Sequence, residues 1–171
     1  MRHKQNLYFC AVPFQSEIGL NRIIVKGCCL RFHSSEFSVQ SRKRMEIINV
    51  TSKVSGIVER AGIKNGFVNL WVPHTTAAIA VNEHDPDLWE DILAAIERLV
   101  PLKGDYRHNA KYGWIPSEQN AHAHILNCLI KPSVTIPVED CRIMLGTWQS
   151  ILFIEMDGPQ TRTVQVHIIG E

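Results

Sequence analysis

An antiparallel α+β fold in a single domain is what the sequence predicts. Three observations carry that reading. Strand patterns follow one another with hairpin-sized links, over residues 37–50 and again over 133–169. The helical patterns between them are too few for a βαβ alternation and a parallel doubly wound sheet. The chain has 171 residues, the usual size of one domain and enough to bury a real core.

The first organised stretch is "FSVQ", "SRKR", "MEIINV", which reads as strand, turn and strand with apolar residues alternating on both arms. "TSKVSGIVERAGIKNG" reads as a helix. Thr51 or Ser52 caps it, Val54, Ile57 and Val58 share one face, and Asn65-Gly66 ends it. "FVNLWVP" and "TTAAIAVN" are β-rich runs. "DPDLWEDILAAIERLVP" is the clearest helix: Asp85 caps it, Pro86 suits its first position, and Asp87, Glu90 and Asp91 favour the positive end of its dipole. Leu88, Ile92, Ala95, Ile96 and Leu99 form its apolar stripe, Trp89 flanks the stripe, and Pro101 stops the helix.

Residues 102–119 show no regular pattern, and connections of that length often carry function. "NAHAHILNCLI" reads as a short helix capped by Asn120. On a helix His122 and His124 point roughly 200° apart, so a given site can use one of them and not both. Strands then return as "SVTIPV", "IMLGTWQSILFIEM" and "TRTVQVHII", with turns at "EDCR" and "DGPQ". Gly146 inside the middle strand pattern reads as a bulge or a close backbone approach.

Charge and cysteines narrow the function classes. The net charge is +1, but residues 1–44 carry +6 and the remainder −5. The folded part is mildly acidic, which argues against a nucleic-acid partner. No apolar run approaches the roughly 20 residues of a membrane span. The five cysteines are odd in number and lack C-x-x-C spacing, so reduced thiols and a cytoplasmic protein are expected, with Cys128 a small core residue. Residues 1–28 read as an accessory or disordered extension and 29–171 as the domain.

Candidate chemistry rests on His74, His108, His122 and His124. His74 ends a β-run in "LWVPHTT", His108 lies in the irregular segment, and the other two share the short helix. Three converging neutral imidazoles can hold a divalent transition metal, zinc most readily, and leave a position open. In "NEHDPD", Glu83 is a candidate general base or a partner fixing an imidazole tautomer, with Asn82 beside it. Trp148 is either core or a ring that stacks on a heterocycle. Arg162 either binds a phosphate or pairs with Asp157.

"VPHTTAAIAVNEHDPD", "YRHN", "NAHAHI", "PVEDCRIMLGTWQSILFIEMDGP" and "VQVHIIGE" together resemble the YjbQ-like family, over roughly Cys29 to Glu171. H-T-[ST]-A and G-T-W-Q at this separation are its most specific motifs. The resemblance implies a compact antiparallel β-sandwich flanked by helices and assembled as a homotrimer. It implies a metal at His74, His108 and His124, zinc first and magnesium second, and leaves His122 as a flanking or solvent residue. Asn82, Glu83, Trp148 and Gln149 fall on its motif positions, as does Thr75 within H-T-[ST]-A. Where the family has Arg or Lys after the D-G-P turn, Gln160 stands first here and Arg162 follows.

Family members are named as secondary thiamine-phosphate synthases. The name implies a small metal-dependent transferase that joins a hydroxymethylpyrimidine pyrophosphate to a thiazole phosphate. In it Glu83 and Asn82 would be catalytic, and Trp148, Gln149, Thr75 and Arg162 would bind the small-molecule substrate. The rival readings are a zinc-dependent hydrolase on the same site, because three histidines suit zinc better than magnesium, and a non-catalytic ligand-binding trimer with structural histidines.

Overall fold

The computed structural model describes residues 8–10 and 29–171. Among them, strands form two sheets in which every pairing is antiparallel. The larger sheet runs, in spatial order, β1 (Tyr8–Cys10), β2 (Cys29–Gln40), β9 (Thr161–Gly170), β4 (Gly66–Trp71), β6 (Ser133–Glu139) and β7 (Arg142–Ile143). The smaller sheet is β3 (Glu46–Asn49), β8 (Gln149–Glu155) and β5 (Ala77–Glu83). The expectation for 1–28 lies outside the described residues except at β1, which pairs with the start of β2.

Side-chain alternation along the strands builds the layers. In β9, Val164, Val166 and Ile168 face a core shared with Ile151 and Phe153 of β8. Helix α1 (Thr51–Ala61) adds Val54, Ile57, Val58 and Ala61 to that core. The opposite parity of β8, Leu152 and Ile154, faces a second core beneath α2 (Pro86–Leu99) and α4 (Ala121–Ile130). The smaller sheet is thus covered on both faces, and every residue from Ile151 to Glu155 is buried. The outer face of the larger sheet carries Phe32, Ile169 and Phe67 side by side in register, 40, 43 and 54% exposed.

Several local readings need correction. "FSVQ" and "MEIINV" are strands joined by a turn, as read, but that turn carries the chain from one sheet to the other. Helix α1 ends at Gly62, whose φ of +62° suits glycine; Gly66 already belongs to β4, where a side chain would strike the Ile169 carbonyl oxygen. Neither Thr51 nor Ser52 caps α1. The Asn49 side chain accepts from Thr51 N, and the Thr51 hydroxyl accepts from Ile151 N, tying the helix start to β8.

Asp85 does cap α2, accepting from Asp87 N at 2.9 Å. The inward face of that helix is Trp89, Ile92, Leu93 and Ile96, while Leu99 is 69% exposed. The Trp89 indole donates to the Glu83 carbonyl at 2.9 Å, and a half-buried indole N–H needs such an acceptor. That contact turns residue 89 inward. Gly146 lies in a turn before β8, closed by Gln149 N to Gly146 O at 2.9 Å. Trp148 in the same turn is 73% exposed, and Cys128 is exposed rather than core. No helix among the described residues is long and apolar enough to cross a membrane.

Candidate functional site

Two polar networks meet near the end of β8, and a histidine stands in each. The first is closed. Glu155 is fully buried, because its position on β8 shares parity with Ile151 and Phe153. Arg162 holds it through two bonds, Nε to Oε2 at 2.9 Å and Nη2 to Oε1 at 2.8 Å. Met156 N and Asp157 N donate to Oε1, and the Ser41 hydroxyl lies 3.1 Å from Oε2. Arg162 also reaches the Thr76 hydroxyl at 3.1 Å. Arg162 therefore pairs with Glu155 rather than with the Asp157 carboxylate, and its charge is neutralised inside the fold.

His74 belongs to this network. Its Nε2 accepts from Thr163 N at 3.0 Å, beyond the point where β4 has ended at Trp71. The ring thus stands in for a missing strand and satisfies a backbone donor. Because Nε2 accepts, the proton sits on Nδ1. Burial holds this imidazole below its usual range; Arg162 lowers it further and Glu155 partly offsets that.

The second network is open. Residues 102–119 are not wholly irregular: they contain α3 (Arg107–Lys111) and a 3₁₀ turn (Pro116–Glu118). Helix α3 brings His108 against His124 of α4, with ring centroids 5.0 Å apart at 61°. The Tyr112 ring also meets His108, with centroids 5.2 Å apart. Asn120 does not cap α4 with its side chain. Its Oδ1 lies 3.2 Å from His108 Nε2, and its Nδ2 lies 2.8 Å from Asp157 Oδ2. Arg44 lies 3.5 Å from Asp157 Oδ1 and donates to the Gln119 carbonyl at 2.6 Å. A cleft of about 520 Å³ opens beside them, walled by Arg44, Lys103, Asp105, Asn109 and Gln119.

The structure brings His108 and His124 together, and the other expected site residues have the following contacts and exposure. Asn82 Oδ1 accepts from Glu83 N, and the Glu83 carbonyl anchors Trp89. Gln149 Oε1 accepts from Gly146 N. Thr75 and Trp148 are exposed. His122 is not a solvent residue: it is fully buried and its Nε2 donates to the Met156 carbonyl at 3.0 Å. Burial is the main reason its imidazole lies below the usual range.

Sequence reasoning missed three participants. Asn120 reads as a helix cap, and Asp157 and Arg44 each as part of a turn. They come from three distant segments, and nothing in their spacing announces a shared network.

The three-histidine metal site needs correction as well. Among the described residues no group of three or more His, Cys, Asp or Glu side chains is placed to hold a metal ion. A ligating imidazole needs a free lone pair, and the Nε2 lone pair of His74 is committed to Thr163 N while Nδ1 carries the proton. The residues do not fit the zinc or magnesium expected.

Comparison with known proteins identifies the family. Residues 35–171 match the model described as UPF0047 protein YjbQ-like. A UPF0047 protein of Methanothermobacter thermautotrophicus is 38% identical, over 85% of this chain and 97% of its own length. The UPF0047 protein YugU of Bacillus subtilis is 36% identical, over 77% and 96%. A crystal structure of a YbjQ-like protein of unknown function from Sulfolobus solfataricus superposes with a TM-score of 0.78 at 35% identity, covering 83% of this chain and 99% of that one. Protein APE1520 from Aeropyrum pernix gives 0.76 at 44% identity, covering 81% and 99%.

None of these relatives carries a synthase, hydrolase or ligand-binding activity in its name. With the metal site gone, the thiamine-phosphate synthase reading and its zinc hydrolase and ligand-binding trimer rivals are withdrawn. What the fold, the motifs and the relatives establish together is that the chain belongs to the UPF0047, YjbQ-like family.

Proposed function

We propose that the chain is an enzyme whose working groups are the His108 and His124 imidazoles, passing protons to and from a small polar substrate. The observation that carries this reading is the imidazole pair itself, 5.0 Å apart and only half-buried. Two rings at that distance can serve as acid and base on one molecule. Asn109, the residue after His108 in α3, lines a cleft that also holds Arg44 and Lys103, which suit acceptor groups of a polar molecule. Depletion of compounds from a metabolite mixture, followed by mass spectrometry, tests it. A compound consumed by the wild-type protein should be consumed about 100-fold more slowly by His108→Ala and by His124→Ala, the scale of general acid–base contributions. Undiminished turnover in both variants would sink the reading.

We also propose that copies of this chain cover the outer face of the larger sheet, in the homotrimer that the resemblance implies. The row Phe32, Ile169, Phe67 supports it, since exposed apolar rows of this kind mark contact surfaces. Light scattering should give three copies, and Phe67→Glu should lower that number. A cytoplasmic home is supported by the exposed free thiol of Cys128, which suits a reducing compartment.

A further inference from the structure

The Asn120 amide can sit in its place in one orientation only. Both hydrogens of Nδ2 are used, one toward the Ser117 carbonyl at 3.2 Å and one toward Asp157 Oδ2 at 2.8 Å. Turned over, the amide would set its oxygen against a carbonyl and a carboxylate, acceptor against acceptor. The carboxylate therefore holds the amide, and Oδ1 is left facing His108 Nε2 at 3.2 Å. An amide oxygen only accepts. Nε2 must then donate, so it carries the ring proton, and Nδ1 keeps the lone pair. Arg44 steadies the far side of the carboxylate at 3.5 Å.

We propose that Asp157 is a positioning residue for His108. Acting through Asn120, it fixes the Nε2–H tautomer and makes Nδ1 the basic nitrogen of the imidazole pair. The consequence for catalysis rests on the acid–base reading above; the tautomer belongs to the resting protein and is measured without substrate.

The experiment is a long-range ¹H–¹⁵N correlation spectrum of protein labelled at histidine, recorded at alkaline pH, with His108 assigned by its loss in His108→Ala. The wild-type protein should show the Nε2–H form at least about tenfold over the Nδ1–H form, the ratio that a hydrogen bond to a charge-held acceptor supports. Asp157→Asn puts an amide opposite Asn120. At position 157 either orientation then finds a partner, only the Ser117 carbonyl still selects one, and the ratio should fall toward that of an unconstrained imidazole. Asn120→Ala removes the acceptor and should give the same fall, which keeps the test open if Asp157→Asn does not fold.

A His108 that is Nδ1–H or freely averaged in the wild-type protein overturns the proposal. So does a folded Asp157→Asn protein, or an Asn120→Ala protein, with an unchanged ratio. The two readings fail separately. A fixed Nε2–H tautomer without His108-dependent turnover removes the acid–base reading and leaves the positioning role. His108-dependent turnover with the other tautomer does the reverse.

Discussion

His74 and His108 both have a tautomer set by a hydrogen bond, yet the bonds run in opposite directions. His74 accepts through Nε2 from a backbone amide. His108 faces an acceptor with the same atom. The first bond completes a sheet and uses up the ring. The second leaves a basic nitrogen and a second imidazole beside it. A histidine at the end of a β-run is thus doing the sheet's work, and one in a loop that looks irregular is available for chemistry. What separates them is the partner each ring is given, a backbone donor or a held side-chain acceptor.

The sharpest way to break the comparison is to attack the closed network at Glu155. The carboxylate is fully buried and its bonds are satisfied by Arg162, Ser41 and two backbone amides. Arg162→Ala would leave that charge unpaired in the interior and should cost about 3–5 kcal/mol in denaturant unfolding. A loss under about 1 kcal/mol would mean that the network is not closed, and that Arg162 is available to a ligand after all.

A smaller effect should come from acid. The His122 imidazole lies below its ordinary value of 6.5 because it is buried, and His74 and His33 are lowered for the same main reason. On lowering the pH, the unfolded chain therefore binds protons before the folded one. The stability linked to these rings is fully present above pH 6.5 and is lost as the pH falls from there through their folded values. Each group contributes at most about 1.4 kcal/mol per pH unit within its window, and the partly exposed His33 and His74 contribute less because solvent screens them. Urea midpoints measured between pH 8 and pH 5 should show the fall, and His122→Ala, less stable at neutral pH, should show a shallower one. An equal slope in the variant would remove His122 from the account.

Most of the fold could be read along the chain, because it follows from local alternation and turn chemistry. Val164, Val166 and Ile168 on one side of β9, and Asp85 with Pro86 at the start of α2, declare themselves within a few residues. The pairing of sheets was less legible: nothing local says that the turn after Gln40 changes sheets. The site was harder still. His108 and His124 were visible as candidates, but Asn120, Asp157 and Arg44 acquire meaning only when three separate segments are packed together. Glu155 left a clue that parity could have used, since it continues the inward series of Ile151 and Phe153. His122 left none, because the burial of one face of a short helix depends on what lies beneath it.

The finest test sets the two histidines side by side. His74→Ala takes the acceptor from Thr163 N and leaves a part-buried donor unpaired, which should cost about 1–2 kcal/mol of unfolding stability. His108→Ala removes a half-buried ring that touches Tyr112, Asn120 and His124, and should cost about 0.5 kcal/mol or less. Turnover should order the pair the other way, with His108→Ala the more damaged and His74→Ala retaining its rate in the folded fraction. If His74→Ala loses turnover without losing stability, the strand-capping role is wrong and the ring reaches the substrate. If His108→Ala unfolds the protein, the open network is a second structural knot, and the imidazole pair holds the fold rather than a reacting molecule.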